Sequence, residues 1–312
     1  MRLIAEWVGV SRAAVYKSQT RFDQQGDLRG KIIEYVQAER GINKTIGGVK
    51  LHRCFVRDHP EDKIGRDRFL EVLRGAKLLL RRKRAYKGAS ASAAEREGRQ
   101  DLAHKLSVAG PGHLWVHDDT EVVTKDGKAH LALSTDAYSK KLIGYSWSRR
   151  ATSEHVERAL TMSLTGHIHG PMSLIHHSDN GSIYGSKAYQ LLLKQSEADV
   201  SWSPPGRPDR NPVAERMNLT FKQEYLCDAR GKTFEQIKQD LPLYIWHYNE
   251  RRPHMSCNNG YPSQIHNGKD KPKKLWKQRP ASYPLPSDDV PTNKRDSLLK
   301  QKVLTSTRNN SK

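Results

Sequence analysis

The chain has 312 residues, and its 54 lysines and arginines against 34 aspartates and glutamates give a formal net charge of +20 at pH 7. That charge predicts binding to a polyanion, most commonly nucleic acid, although ribosomal and membrane-surface proteins share it. The three cysteines are widely separated, which argues against a disulfide framework and a paired-cysteine zinc site. The sequence has neither an apolar run of membrane-spanning length nor a signal-peptide pattern, so we expect a cytoplasmic protein with no membrane partner.

The first segment, residues 1–27, has the pattern of a helix–turn–helix. A short apolar helix would end at Gly9-Val10, and Ser11 is a suitable N-cap for a second helix. This pattern is typical of DNA-binding segments, although any small helical hairpin can share it. We expect the second helix to be a recognition helix, with DNA contacts from Arg12, Tyr16 and Lys17.

Residues 28–87 form the next segment, which we interpret as a second, mostly helical DNA-binding region of the helix–turn–helix kind. Its His52, Cys54 and His59 suggest zinc, but no second close pair completes a four-ligand site. The segment ends in a basic cluster that fits either a solvated face or phosphate contacts, and its residues are Arg81, Arg82, Lys83 and Arg84. The small and polar residues that follow predict a linker over residues 88–112.

From residue 113 the sequence pattern changes to strands. Three strand-like segments are joined by tight turns, the first at Asp126-Gly127, and the order helix, strand, helix, strand, helix follows. This order predicts an α/β domain over residues 113–266, with a mixed five-stranded sheet flanked by helices. Strands one and four should then end side by side at the centre of the sheet.

Three carboxylates fall where such a sheet could bring them together. Asp118 lies within the first strand, and Asp179 ends the fourth, although its Asp-Asn-Gly sequence also suits a simple turn. Glu215 comes one turn into a helix that Asn211 would cap, and Lys222 follows two turns later on the same face. The other face of that helix should be buried, and it carries Val213, Met217, Phe221 and Tyr225.

Four motifs follow one another in the second half of the chain. They are "WVHDDT" at 115–120, "HSDNGSIY" at 177–184, "SPPGRPDRNPVAER" at 203–216 and "YNERRPH" at 248–254. Thirty-five residues separate Asp179 from Glu215. In these features, residues 1 to about 266 resemble the OrfB-type insertion-sequence transposases, whose catalytic domain is similar to retroviral integrase and carries an Asp-Asp-Glu (DDE) signature.

The resemblance implies an RNase H-like catalytic domain in which Asp118, Asp179 and Glu215 are catalytic and hold two Mg²⁺ ions, for which Mn²⁺ can substitute. Two such ions, about 4 Å apart, can stabilise the attacking and leaving oxygens of a phosphodiester displacement. The implied enzyme is a DNA transposase that nicks the ends of its element and joins the freed 3′-hydroxyl to another phosphodiester. The alternative is a transposase-derived protein that binds or regulates DNA without chemistry.

The resemblance also implies partners and further contacts. The partner would be double-stranded DNA, namely the terminal inverted repeats and the target, bound by a homo-oligomer at the nucleoid of a bacterium. Further DNA contacts are expected from Lys222, His177, Arg207 and Arg252. The remaining segment, residues 267–312, is basic and rich in proline, and we expect it to be disordered without DNA.

The sequence departs from the family pattern at several places. An apolar residue is usual at Asp119, and because neighbouring strand residues face opposite ways, the motif selects Asp118 as the ligand. The other departures surround the glutamate or fall in the last long helix, where a proline should interrupt the pattern, and they are Arg210, Pro212, Arg216 and Pro242.

Overall fold

The computed structural model describes residues 11–80, 100–166, 173–204, 208–269 and 271–272, with the backbone alone for residues 12, 14–25 and 208. Three helices precede the sheet: α1 (Arg12–Ile42), α2 (Gly48–Asp58) and α3 (Arg66–Gly75). Within the described part of the chain, no helix is long and apolar enough to cross a membrane.

The three helices pack around one apolar core. It contains Ile32, Val36, Ile46, Leu51, Cys54, Phe55, Phe69 and Leu73. The predicted boundary between residues 27 and 28 lies inside α1, which runs for 31 residues without a break. The reason is local: the stretch from Arg12 to Ile42 contains no proline, and its glycines do not end the helix. The first two predicted segments therefore share one helix.

The predicted mixed sheet is confirmed, with five strands in the order β3-β2-β1-β4-β5. The strands are β1 (Leu114–Thr124), β2 (Gly127–Asp136), β3 (Leu142–Ser148), β4 (Ile175–Ser178) and β5 (Asp199–Trp202). The first three strands form an antiparallel meander, while β1 with β4 and β4 with β5 are parallel pairs. As expected, β1 and β4 are neighbours at the centre of the sheet.

Helices cover both faces of the sheet. They are α4 (Ser153–Thr165), α5 (Lys187–Gln195), α6 (Pro212–Glu224), α7 (Phe234–Glu250) and α8 (Pro262–His266). The alternation of β2 divides the core between the two faces: Leu131 and Leu133 pack with α6 and α7, whereas Ala132 packs with α4 and α5. The stripe predicted for α6 is buried at Met217, Phe221 and Tyr225.

The expected interruption at Pro242 is not observed, because α7 continues through it from Phe234 to Glu250. Pro242 lies on the exposed side of the helix. Water can therefore satisfy the carbonyl of Lys238, which loses its backbone donor four residues later.

Candidate functional site

The two adjacent aspartates of β1 face opposite sides of the sheet and have different partners. On the α6 side, the Asn218 side-chain amide donates to Asp118 Oδ2 at 2.7 Å. On the α4 side, Asp119 accepts from His130 Nδ1 at 2.8 Å and from His155 Nε2 at 3.1 Å. Asp119 is thus used in a structural cluster that ties α4 to the sheet, whereas Asp118 points toward the helix that carries Glu215.

The pKa values of Asp118 and Asp119 are shifted in opposite directions. Burial raises the pKa of Asp118 to about 7, and the negative charges of Asp179 and Glu215 add to that effect. Burial would also raise the pKa of Asp119, but the hydrogen bonds from His155 and His130 hold it below its usual value. Asp118 therefore lies in a negative environment that a cation would relieve.

Asp179 is brought level with Asp118 by the pairing of β4 with β1. Val116 pairs with His177 in parallel register, so two residues further along the chain each strand presents an aspartate at the same level. Neighbouring strands lie about 4.8 Å apart, which places both carboxylates at one edge of the sheet. Asp179 Oδ1 also accepts from the backbone N–H of Gly181 at 2.9 Å. The turn interpretation and the site interpretation of Asp179 are thus compatible.

Glu215 is positioned by the attachment of α6 to β1. The Asn211 side-chain amide donates to the His117 carbonyl at 3.1 Å, and this contact is buried. Asn211 occupies the N-cap position of α6, but its side chain attaches the helix to the strand and accepts no capping bond from the helix. Glu215 comes in the first turn of the helix and its side chain is exposed. Partial desolvation of its carboxyl group by neighbouring atoms, together with the charge of Asp209, raises its pKa.

Asn218 and Lys222 complete the α6 face that begins at Glu215. Residues three and seven positions on share one side of a helix, so the spacing 215, 218, 222 is itself a signal that could have identified Asn218 from the sequence. Lys222 is half-buried, and burial lowers its pKa while the charge of Asp118 acts in the opposite direction. An ammonium group and an amide therefore flank the carboxylates.

The three carboxylates of the site do not form a tight cluster of ligand atoms. Among the residues that the structure describes, the ligand atoms of three candidate metal ligands come within 4.8 Å of one another only at His59, Glu61 and Asp62. That group is compensated, because Lys31 Nζ lies 3.1 Å from Glu61 and 2.5 Å from Asp62. Asp118, Asp179 and Glu215 are more widely spaced and offer oxygen ligands only. Such a set suits Mg²⁺, which keeps waters and binds substrate phosphates in its remaining positions.

Two predicted DNA contacts are corrected, because the side chains are buried and fully engaged. His177 has no solvent exposure, and its ring nitrogens are hydrogen bonded to Ser201 Oγ at 2.8 Å and Ser203 Oγ at 2.9 Å. Arg252 forms a two-point ion pair with Glu224, with both contacts at 2.6 Å. Motif membership identified these two residues, but their side chains hold the fold together instead of facing solvent.

Several predicted DNA contacts lie outside the described residues. The backbone of Arg12, Tyr16 and Lys17 belongs to α1, but their side chains are not described. The basic cluster and one motif arginine are not described at all, namely Arg81, Arg82, Lys83, Arg84 and Arg207. Of the residues that depart from the family pattern, Arg210 contacts Asp101 at 3.7 Å and Asp209 at 3.8 Å.

Comparison with known proteins agrees with this architecture. Two integrase core domain models match the chain, one over residues 108–208 and the other over residues 197–262. The class of protein is therefore one with an integrase core, in agreement with the RNase H-like sheet.

The chain is also similar to proteins of mobile elements. It is 35% identical to the transposase for insertion sequence element IS904 of Lactococcus lactis, over 57% of this chain and 69% of that protein. It is 29% identical to the insertion element IS600 uncharacterized 31 kDa protein of Shigella sonnei, over 82% of this chain and 94% of that protein. A solved structure, the HTLV-2 integrase catalytic core domain in complex with magnesium, matches 50% of this chain and 97% of its own length at 21% identity, with a TM-score of 0.41. The chain belongs to the insertion-sequence transposases with an integrase core domain.

Proposed function

We propose that this protein is a DDE polynucleotidyl transferase that nicks the ends of its insertion element and carries out strand transfer. The observation that carries the proposal is the placement of Asp118 and Asp179 at one sheet edge, with Glu215 on the helix tied to the same strand. Burial, together with the charges of the neighbouring carboxylates, raises the pKa of Asp118 in a chain of net charge +20. Divalent cations bound here would neutralise the carboxylates and could hold a phosphodiester in place.

The side chains have separate roles in this proposal. Asp118, Asp179 and Glu215 would hold Mg²⁺ or Mn²⁺, which stabilise negative charge on the attacking and leaving oxygens when bound. Asn218 holds one oxygen of Asp118 and thereby orients the carboxylate. Lys222 supplies positive charge for the terminal phosphates of the DNA. The nucleophile is a water for nicking and a DNA 3′-hydroxyl for strand transfer, so no side chain forms a covalent intermediate.

We assign the substrate and setting from the same proposal. The substrate is double-stranded DNA, first the terminal inverted repeats of the element and then a target duplex. Residues 1–87 would bind the duplex and residues 113–266 would cut it, in a homo-oligomer assembled on DNA at the nucleoid of a bacterium. The basic tail (267–312) would extend these parts. The predicted linker (88–112) would join them only through its first half, because residues 100–112 pack against the catalytic domain through Ala103, Leu106 and Val108.

A nicking assay tests the proposal. Full-length protein is incubated with end-labelled duplex carrying the element terminus, with Mg²⁺ or with EDTA. Wild type should nick in Mg²⁺ alone, and Asp179→Asn should reduce nicking at least about a hundredfold while duplex affinity stays within about twofold. Asp199→Asn is the matched control, because Asp199 is exposed and starts β5, at the opposite end of the parallel strands from Asp179. Nicking by Asp179→Asn at a tenth of the wild-type rate or more would show that Asp179 is a turn residue and not a metal ligand. A wild-type protein that binds the duplex but does not nick it in Mg²⁺ would favour the DNA-binding alternative.

A further inference from the structure

Among the described residues, the contacts between the helices before the sheet and the catalytic domain cluster around the C-terminal ends of α6 and α7. We call residues 28–80 the helical unit. Most hydrophobic residues of the unit are buried in its own apolar core, while Ile42 packs against the core of the catalytic domain. The polar contacts determine where the unit lies on the catalytic domain.

Glu224, the last residue of α6, is the centre of the attachment. Its carboxylate accepts from Arg252 within the catalytic domain, and from Asn43 at 2.8 Å and Lys50 at 3.0 Å in the helical unit. Burial would raise the pKa of Glu224, but the hydrogen bonds and charges of Arg252 and Lys50 lower it to about 2. The carboxylate is therefore ionised and saturated with donors.

A second buried contact lies beside the first. Glu39 of the helical unit accepts from His247 Nε2 at 3.0 Å, and the Tyr225 hydroxyl donates to the other ring nitrogen of His247 at 2.8 Å. Arg251 Nη2 contacts Glu39 at 2.5 Å and Asp58 at 2.6 Å. Arg251 thus contacts two carboxylates of the helical unit, and Glu39 contacts two groups of the catalytic domain, which favours a single orientation of the unit.

Backbone carbonyls at the ends of the two helices supply further acceptors. Thr45 Oγ1 donates to the carbonyl of Gln223 at 2.9 Å, and Arg57 Nη1 donates to the carbonyl of Glu250 at 3.3 Å. The carbonyls of a helix's last turn lack intrahelical partners and carry partial negative charge. Donors and cations of the helical unit thus satisfy the exposed ends of α6 and α7.

One helix connects this attachment to the carboxylate site. Glu215 and Glu224 lie at opposite ends of α6, nine residues and about 14 Å apart at 1.5 Å per residue. We propose that Asn43, Lys50 and Glu224 are positioning residues, which fix the helical unit relative to Glu215 and so determine which phosphodiester of the bound duplex is cut. The inference rests on the proposed function. Meanwhile α3, on the helical unit, exposes Arg66, Arg68 and Arg74 to solvent, where a duplex can reach them.

The experiment loosens the attachment from the helical side. Full-length Asn43→Ala/Lys50→Met removes two donors to Glu224 and leaves the Glu224–Arg252 pair intact within the catalytic domain. Lys44→Met is the matched control, because this substitution also removes one positive charge. The ammonium group of Lys44 donates to the Gly41 carbonyl within the helical unit and not to Glu224. Asn43→Ala/Lys50→Arg is the conservative variant, which restores a cation toward Glu224.

The positions of the nicks are mapped on end-labelled duplex, together with duplex affinity and thermal unfolding. Wild type and Lys44→Met should cut mainly at one phosphodiester. In Asn43→Ala/Lys50→Met the fraction cut at that bond should fall at least about threefold in favour of its neighbours, with affinity within about twofold, and Asn43→Ala/Lys50→Arg should recover most of the precision.

Other results would overturn the inference. Cutting by the double variant at the wild-type bond with the wild-type rate would show that the attachment does not position the DNA. Uniform loss of nicking with folding and affinity intact would assign the contact to support of the catalytic site, and not to positioning. A wild-type protein that does not nick would overturn the proposed function itself, and the positioning role with it.

Discussion

Two neighbouring residues of β1, Asp118 and Asp119, show how the same carboxylate is used in two ways. Asp119 is ionised and accepts from two histidines, so its charge is compensated inside the fold. Asp118 has one amide donor and other carboxylates nearby, so ionisation costs free energy until a cation binds. The carboxylate of Asp119 therefore stabilises the fold, whereas the ionised carboxylate of Asp118 destabilises it.

Substitution by asparagine should therefore have opposite effects at the two positions. In EDTA at pH 8, above the Asp118 pKa of about 7, Asp118→Asn should raise the free energy of unfolding by roughly 1–3 kcal/mol, because it removes the repelled charge. Asp119→Asn should lower it by about 1–3 kcal/mol, because it weakens two charge-assisted hydrogen bonds. Urea unfolding measures both. Equal destabilisation by the two changes would show that Asp118 is not held against its own charge.

Asn218 is predicted to matter for the rate and not for the fold. A hydrogen bond to a charged group contributes about 1.5–3 kcal/mol, so Asn218→Ala should slow nicking about 10- to 100-fold at saturating Mg²⁺ and leave duplex affinity unchanged. The Gln223→Ala variant serves as the reference, because Gln223 lies on the exposed side of the same helix. If both variants nick equally fast, the contact to Asp118 has no role in orienting it.

The sequence was informative about single residues where spacing along an element decides the outcome. Strand alternation and helix periodicity are local, and together with the order of the elements they predicted that Asp118, Asp179 and Glu215 lie toward one end of the strands. They do not reveal whether a neighbouring element satisfies a side chain. His177 and Arg252 were therefore expected to contact DNA. Instead, His177 is buried against Ser201 and Arg252 against Glu224, and each partner lies more than 20 residues away in the sequence.

The order of helices and strands could be predicted from the sequence, but the length of α1 could not. Alternating strand patterns and the Asp126-Gly127 turn gave the meander, and the described sheet matches it. The division at residue 27 relied on a turn signal near Gly9, which says nothing about where the following helix ends. The helix continues past residue 27 because the stretch from Arg12 to Ile42 contains no proline that would stop it.

Glu224 at the end of α6 gives a pH-dependent prediction. A carboxylate whose pKa is about 2 in the folded protein and near 4.5 when unfolded stabilises the fold above pH 4.5, and this stabilisation is lost as the pH falls toward 2. Glu224→Gln should therefore lower the free energy of unfolding by about 3 kcal/mol at pH 7, since it also leaves Arg252 and Lys50 without their anion.

Urea unfolding of wild type and Glu224→Gln from pH 7 to pH 3 measures this dependence. The difference between the two proteins should shrink steadily below pH 4.5 as wild-type Glu224 becomes protonated. A difference that is constant over the whole range would mean that the ion pair is not what the substitution removes.

At the scale of the whole molecule, the net charge of +20 is unevenly distributed. Residues 271–312 contain eleven lysines and arginines and three aspartates, a net charge of +8. Because the logarithm of duplex affinity falls with the logarithm of salt at about 0.9 per neutralised phosphate, truncation after Gly268 should flatten that slope by several units. Affinity measured between about 50 and 200 mM salt tests this, and an unchanged slope would show that the tail does not contact phosphates.

In the proposed enzyme, Asp118, Asp179 and Glu215 hold the divalent ions that cutting of DNA requires. Titration of full-length protein with Mn²⁺, followed by the loss of free-ion paramagnetic resonance signal, tests this metal binding without depending on nicking. Binding should be lost in Asp179→Asn and kept in Glu61→Gln, which changes the competing exposed group of His59, Glu61 and Asp62. Mn²⁺ binding that survives Asp179→Asn and disappears in Glu61→Gln would contradict the account.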